Sequence, residues 1–218
     1  MDILLNETEV RVLGALVEKE ITTPDYYPLS LNALVNACNQ KSNRHPVMNL
    51  DEDAVRDALT SLNEKGLAGA ASGADSRVTK YEHRLQEVFN FTRPEIAVLC
   101  VLMLRGPQTP GELRGRGERL HRFDDLEAVH SALQHLISRQ PPLAKILPRQ
   151  PGTKEARYAH LLAGDSEAWI PEAPTEAATG YASPDSERLT RLENQVASLQ
   201  QEITDLKHQL AEFRKPSE

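Results

Sequence analysis

The spacing of apolar and polar residues repeats itself along the chain. The run Glu9–Leu16 recurs 86 positions later as Glu95–Leu102, in each case with the apolar pattern of a buried helix. Two further helical patterns follow in both copies, and Gly- and Pro-rich turns then lead to a strand-like segment around Tyr81 or Tyr158. A repeat of this size indicates a duplicated domain rather than a solenoid unit.

Helix starts are marked by capping boxes, in which an N-cap side chain and a Glu three residues later satisfy the free amides of the first turn. The five pairs are Asn6 and Glu9, Asn49 and Glu52, Thr92 and Glu95, Thr109 and Glu112, and Asp124 and Glu127. The third helix of the first copy is predicted from about Leu50 to Lys65, where Gly66 supplies the C-cap.

Three helices followed by a two-stranded hairpin are typical of a winged helix. The hairpin strands are predicted at residues 67–70 and 78–84 in the first copy, and at 143–147 and 156–161 in the second. The sequence therefore predicts a mainly α fold with small β-hairpins (α+β), as tandem winged-helix domains at residues 1–90 and 91–164. A helical bundle is the alternative, which the Gly-rich tips and the terminal β-type residues disfavour.

The last fifty residues change character twice. Residues 165–185 are rich in Pro, Ala, Glu, Gly and Thr without periodicity, which predicts a flexible linker. Residues 186–215 then carry apolar positions at alternating spacings of three and four, the seam of a coiled-coil helix. The seam residues are Leu189, Leu192, Val196, Leu199, Ile203, Leu206, Leu210 and Phe213. We expect this helix to join two chains in a homodimer; an amphipathic helix folding back onto its own domain is the alternative.

Charge separates the two copies. The net charge is −7, yet residues 1–90 hold 9 Lys or Arg against 14 Asp or Glu, whereas residues 91–164 hold 11 against 7. Residues 165–218 hold 5 against 11. Because only the second copy is basic, a nucleic-acid partner has to be bound there.

Three long motifs suggest a family. The runs Tyr27–Met48, Ser76–Arg84 and Leu104–Arg114 closely resemble the signature of the YceH-like family of uncharacterised bacterial proteins. The resemblance covers roughly residues 5–162. It implies tandem winged-helix domains followed by a C-terminal helix, and it implies no activity.

Catalytic chemistry finds little support, and the sequence predicts a protein that is not an enzyme. Gly111, Gly115 and Gly117 lie in or just after a short helix rather than in a phosphate-binding loop that follows a strand. The seven His lack metal-ligand spacing, and no nucleophile comes with an identifiable base. We therefore expect no cofactor and no metal. Cys38 and Cys100 sit in apolar helical patterns, which predicts buried, unreactive thiols.

No membrane association is expected either. Apolar runs stay shorter than the ~18 residues that span a bilayer, and Met1-Asp2-Ile3 begins no signal peptide. These features predict a soluble, cytoplasmic protein.

Basic residues of the second copy form the candidate contact to DNA phosphates. Four lie between its second and third helices and three in its wing, the hairpin: Arg114, Arg116, Arg119 and Arg122, then Arg149, Lys154 and Arg157. The alternative is a solvated polar loop with Glu112, Glu118 and Glu155 as local partners. Acidic residues at the start of the third helix, Asp51-Glu52-Asp53 in the first copy, argue against that copy reading the major groove there.

A polar loop in the first copy is a candidate recognition site for a partner or ligand. It consists of Asn39, Gln40, Lys41, Ser42, Asn43 and Arg44 and has no apolar anchor. The alternative is that its Asn and Ser side chains satisfy local backbone groups.

Two functions remain open. In the first, the chain is a dimeric, DNA-associated transcriptional regulator that contacts phosphates through its basic second copy. In the second, it is a protein-interaction adaptor that docks partners on its winged-helix surfaces without DNA. Fold-level analogy favours the regulator.

Overall fold

The structure is a computed structural model that describes residues 3–71, 78–149 and 155–165. Within these ranges the chain is mostly helical with two small antiparallel sheets, which confirms the predicted mainly α class with small β-hairpins. The predicted coiled-coil seam and all but the first residue of the predicted linker lie outside the described residues. The boundaries at residues 90 and 164 stay predictions.

The described part of the first repeat, residues 3–71 and 78–90, contains four α-helices and three strands. Its α-helices are α1 (Glu7–Thr22), α2 (Leu31–Cys38), α3 (Glu52–Glu64) and the short α4 (Leu85–Phe89), and a 3-10 helix spans Pro24–Tyr26. Its strands are β1 (Leu29–Ser30), β2 (Ala68–Ala70) and β3 (Lys80–His83), which form a sheet in the order β1-β3-β2.

The second repeat follows the same order. Its helices are α5 (Arg93–Arg105), α6 (Pro110–Gly117) and α7 (Leu126–Ser138), and its strands β4 (Ala144–Ile146) and β5 (Tyr158–His160) pair antiparallel. Tyr158 also bridges to Gln108, just as Tyr81 pairs with Leu29 in the first repeat. The two hairpins therefore meet an equivalent extended segment ahead of the second helix.

Three of the five predicted capping boxes are confirmed, and two helix starts are wrong. Asn6, Thr92 and Thr109 cap α1, α5 and α6 as expected. The cap of α3 is Asp51 rather than Asn49, and the cap of α7 is Asp125 rather than Asp124.

Hydrogen bonds from distant side chains accompany both later starts. The Asn39 amide group accepts from the Leu50 N–H at 2.8 Å and donates to the Leu50 carbonyl at 2.7 Å, as a paired extended backbone would. Arg114 Nη2 donates to the Asp124 carbonyl at 2.6 Å. The backbone groups of Leu50 and the carbonyl of Asp124 therefore have hydrogen-bond partners outside the helices, and each helix begins after them.

The leading helices of the two repeats, α1 and α5, pack against each other in one continuous apolar core. Gly14 and Cys100 occupy equivalent positions in the repeat, and Cys100 Sγ donates to the Gly14 carbonyl at 3.5 Å. Contact between equivalent positions is the arrangement of a twofold-related pair. Both cysteines are buried as predicted, and burial raises the pKa of each thiol.

Gly14 sets how closely the two helices approach. A Cβ built there would lie 3.0 Å from Leu104 Cδ2 and 3.2 Å from Met103 Cβ. We predict that Gly14→Val lowers the free energy of unfolding by roughly 1–3 kcal/mol or more, because the added methyls overpack a filled contact. Urea unfolding followed by circular dichroism measures the change.

Gly115 in α6 is the matched control. A Cβ there would meet no heavy atom within 4 Å. Gly115→Ala should therefore be neutral or stabilise the protein by up to about 1 kcal/mol through helix propensity. Equal destabilisation by both substitutions would contradict the proposed close contact.

His160 on β5 makes stability depend on pH. Burial lowers the pKa of its imidazole to about 4, so the folded protein holds the ring neutral. The unfolded chain binds a proton near pH 6.5, so this contribution is complete above that pH and is lost as the pH falls toward 4. We predict a loss of about 2 kcal/mol between pH 7.5 and 5, measured by urea unfolding, that His160→Gln removes. An undiminished loss in His160→Gln would contradict this assignment.

Candidate nucleic-acid interface

Three of the candidate DNA-contacting arginines are exposed and unpaired within the described chain. Arg119 and Arg122 lie in the turn between α6 and α7, and Arg149 lies three residues beyond β4. None of the three donates a hydrogen bond or forms an ion pair to another described residue. Their charges are thus available to an anionic partner.

Another three of the candidates hold the second repeat together. Arg114 binds the Asp124 carbonyl, and Arg116 pairs with Glu112 at 3.4 Å and also contacts the side-chain oxygen of Gln108. Arg157 pairs with Glu112 at 2.7 Å and donates to the Pro107 carbonyl at 2.9 Å. Lys154 lies outside the described residues.

Glu112 is the centre of this network. Burial alone would raise the pKa of its carboxyl. Hydrogen bonds from the Thr109 amide and from Arg157 outweigh that effect, so the pKa of Glu112 lies below its usual value. The carboxylate therefore neutralises part of the charge of Arg116 and Arg157. Local partners are thus present for these two residues, whereas Arg119 and Arg122 of the exposed turn have none among the described residues.

The outward faces of α3 and α7 differ in charge. α3 exposes four carboxylates, at Glu52, Asp53, Asp57 and Glu64, beside a single Arg56 that pairs with the first two. α7 exposes Glu127 in its first turn and, beyond it, Ser131, Gln134, His135 and Ser138. Past its first turn, the outward face of α7 therefore carries no exposed carboxylate within the described residues.

The polar loop at residues 39–44 turns half of its side chains inward. Asn39 binds Leu50 as described, Asn43 accepts a hydrogen bond from Arg105 of α5, and Arg44 is only 5% exposed. Gln40, Lys41 and Ser42 make no hydrogen bond or ion pair to other described residues. The loop consequently joins the two repeats, and only its centre is free to meet a partner.

Arg44 is held by a buried carboxylate of α1. Its two terminal nitrogens approach the Glu18 carboxylate oxygens at 3.2 and 2.6 Å, and they also donate to nearby carbonyls. Arg11, which is 1% exposed, adds hydrogen bonds to the Cys38 and Pro46 carbonyls. The His45 N–H then donates to the Leu104 carbonyl of α5 at 2.8 Å.

Sequence reasoning did not identify Arg11, Glu18 or Arg105 as parts of this junction. Arg11 offered one signal, because it is a charged residue inside an otherwise apolar helical run. Glu18 and Arg105 lie at helix ends, where charged residues are ordinary.

The Glu18–Arg44 pair generates a prediction. Arg44→Met and Glu18→Leu should each lower the free energy of unfolding by about 3–5 kcal/mol, because each leaves a buried charge without its partner. The double variant should lose far less than the sum of the two. Chemical unfolding of the four proteins measures the coupling.

The exposed Arg56–Glu52 pair, at 3.8 Å, provides the control. Arg56→Met and Glu52→Leu should each change stability by less than about 1 kcal/mol. Additive losses at Glu18 and Arg44 would contradict the role assigned to their ion pair.

The described residues contain neither a metal-binding cluster nor a membrane-spanning helix. No group of three or more His, Cys, Asp or Glu there is arranged to hold a metal ion. None of the described helices combines the length and apolar character needed to cross a bilayer.

Comparison with known proteins places the chain among bacterial relatives. Residues 5–153 match the family model described as Protein of unknown function, DUF480. A UPF0502 protein of Koribacter versatilis is 54% identical over 200 residues, covering 91% of this chain and 92% of the relative. UPF0502 proteins of Solibacter usitatus and Geobacter sulfurreducens are 54% and 52% identical, and each covers at least 98% of both chains. These matches support the resemblance drawn from the motifs.

Proposed function

We propose that this chain, which belongs to the DUF480 family, is a non-enzymatic, DNA-associated protein whose second repeat contacts the phosphates of duplex DNA. The observation that carries the proposal is the set of exposed guanidinium groups of Arg119, Arg122 and Arg149, which pair with no other residue that the structure describes. Guanidinium groups without an internal counterion release DNA counterions when they bind phosphate, which favours association.

The proposed fold of each repeat is a winged helix. The order of three helices and a hairpin, with a third extended segment paired to the second hairpin strand, supports this assignment in both repeats. In such a module the third helix enters the major groove, which gives α7 that role here. The turn before α7 and the hairpin loop would then border the phosphate backbone, and both carry exposed arginine.

The first repeat does not offer the same surface. Its turn between α2 and α3 is held against α5 through Asn43 and His45, and the outward face of α3 is acidic. In the proposed arrangement this repeat stays off the DNA, because carboxylates facing phosphates are repelled.

The adaptor function is the second candidate, and the acidic face of α3 favours it. An exposed row of carboxylates suits a basic protein surface as well as it excludes DNA. The free centre of the polar loop, Gln40 to Ser42, adds polar groups in the same repeat. Under this function the chain would not bind nucleic acid.

A homodimer formed by the C-terminal seam would join two basic repeats. Two chains double the number of phosphate contacts, and the second contact becomes intramolecular once the first has formed. The seam residues lie outside the described residues, so the coiled coil and the dimer remain part of the proposal.

Fluorescence anisotropy with random duplex DNA at several salt concentrations tests the regulator function. Three phosphate contacts per chain predict a slope of log K against log salt of about −2.7. Arg122→Glu with Arg149→Glu should reduce its magnitude by about 1.8 per chain and weaken binding at all DNA sequences alike.

The matched control is Lys41→Glu with Arg56→Glu, which changes the net charge equally on the first repeat. This variant should keep the wild-type slope, because neither residue lies on the proposed DNA surface. Loss of affinity in both double variants would indicate a net-charge effect alone. Absence of binding at low salt would favour the adaptor.

A further inference from the structure

A small cleft lies where the two repeats meet. It is bounded by the C-terminal ends of α1 and α5, by the polar loop of the first repeat, and by the end of α6 and the turn after it. Its volume is about 40 Å³. The lining residues are Glu18, Thr22, Asn43, Val101, Leu104, Arg105, Arg116, Arg119 and Leu120.

Positive charge dominates this cleft. Arg105, Arg116 and Arg119 line it, and Glu18 is the sole carboxylate among its described lining residues. Glu18 is already bound by both terminal nitrogens of the buried Arg44, and its charge offsets only part of the effect of the neighbouring guanidinium groups on Arg105. Arg116 shares Glu112 with Arg157, which leaves one carboxylate between two guanidinium groups.

The Arg105 guanidinium lies close to other positive charges. Burial lowers the pKa of the Arg105 guanidinium, and the charges of Arg116 and Arg44 lower it further. An anion placed among these groups would relieve that repulsion. Arg105 reaches the cleft with one nitrogen bound to Asn43, and Arg119 reaches it with no partner in the described chain.

Two buried arginines at the junction of the repeats, Arg11 and Arg44, have structural roles. Arg11 and Arg44 are enclosed and donate to carbonyls or to Glu18. Arg119, by contrast, lines an open cleft, and its guanidinium donates no hydrogen bond to another described residue. Guanidinium groups bind oxyanions in a bidentate manner, and two or three of them around one small space match a single tetrahedral anion.

We propose that this cleft binds one phosphate-sized oxyanion, held between the repeats by Arg105, Arg116 and Arg119. The volume suits an inorganic phosphate ion or the phosphoryl end of a small phosphomonoester, with the remainder of that molecule outside. Because the ligand contacts the second repeat while lying against Glu18, Thr22 and Asn43 of the first, its binding stabilises their junction. The cleft shares Arg119 with the proposed DNA contact, whereas Arg122 and Arg149 do not line it.

Isothermal titration of the full chain with sodium phosphate, in chloride buffer of matched ionic strength, tests the proposal. We expect saturable binding of one phosphate per chain. Arg119→Gln should weaken it about tenfold or more, because it removes a charged hydrogen-bond donor. Arg116→Gln should weaken it as well, and Arg56→Gln, on the outward face of α3 and outside the cleft, should leave it within about twofold.

Titration with glycerol 3-phosphate separates the two sources of the anion. If glycerol 3-phosphate binds more tightly than inorganic phosphate, the ligand is a phosphomonoester. If it binds equally or more weakly, the ligand is the free phosphate ion. Both outcomes support the site. Circular dichroism confirms that the variants are folded. Failure of both ligands to bind, or equal binding by wild type, Arg119→Gln and Arg116→Gln, would overturn the proposal. The result does not depend on whether DNA is bound, because no DNA is present in the titration.

Discussion

The contact between α1 and α5 at Gly14 is the constraint on which the rest of the structure depends. A side chain at this position would collide with Leu104 and Met103, so the two helices reach their observed separation because Gly14 has none. Each helix is buried over ten consecutive residues, which is more surface than one amphipathic face presents. Each repeat therefore covers apolar surface of the other. The polar junction and the arginine-lined cleft lie at the same interface between the repeats.

The two repeats place different polar groups at their interface, although the order of their elements is the same. In the first repeat, the turn before the third helix lies at this interface. Arg44 forms an ion pair with Glu18, and the His45 N–H donates to the Leu104 carbonyl. The corresponding turn of the second repeat leaves Arg119 and Arg122 exposed. One turn thus serves internal packing, where buried charges require partners, whereas the equivalent turn carries exposed arginines.

Local signals in the sequence predicted the elements, and distant contacts decided the details. Apolar spacing and capping pairs found the helices, because both act within one or two turns. The starts of α3 and α7 were misplaced since Asn39 and Arg114 bind backbone groups 11 and 10 residues away. The inward position of Arg44 depends on Glu18, 26 residues earlier, and the pairing of Arg157 on Glu112, 45 residues earlier. No local pattern encodes such partners. Of the seven basic candidates, six are described, and three of these six are exposed and unpaired with other described residues.

The net charge of −7 does not oppose binding of an anion at the second repeat, because distance and salt decide which charges matter. At physiological ionic strength the Debye length is about 8 Å, so charges further apart than this along the surface are largely screened. Arginines of one turn act together over that distance, whereas the carboxylates on the outward face of α3 act mainly on what approaches α3. The acidic repeat would then limit how much of the surface DNA or any polyanion can cover. The same screening leaves a small oxyanion in the cleft governed by the guanidinium groups that touch it, which makes local geometry rather than total charge the determinant of both proposed sites.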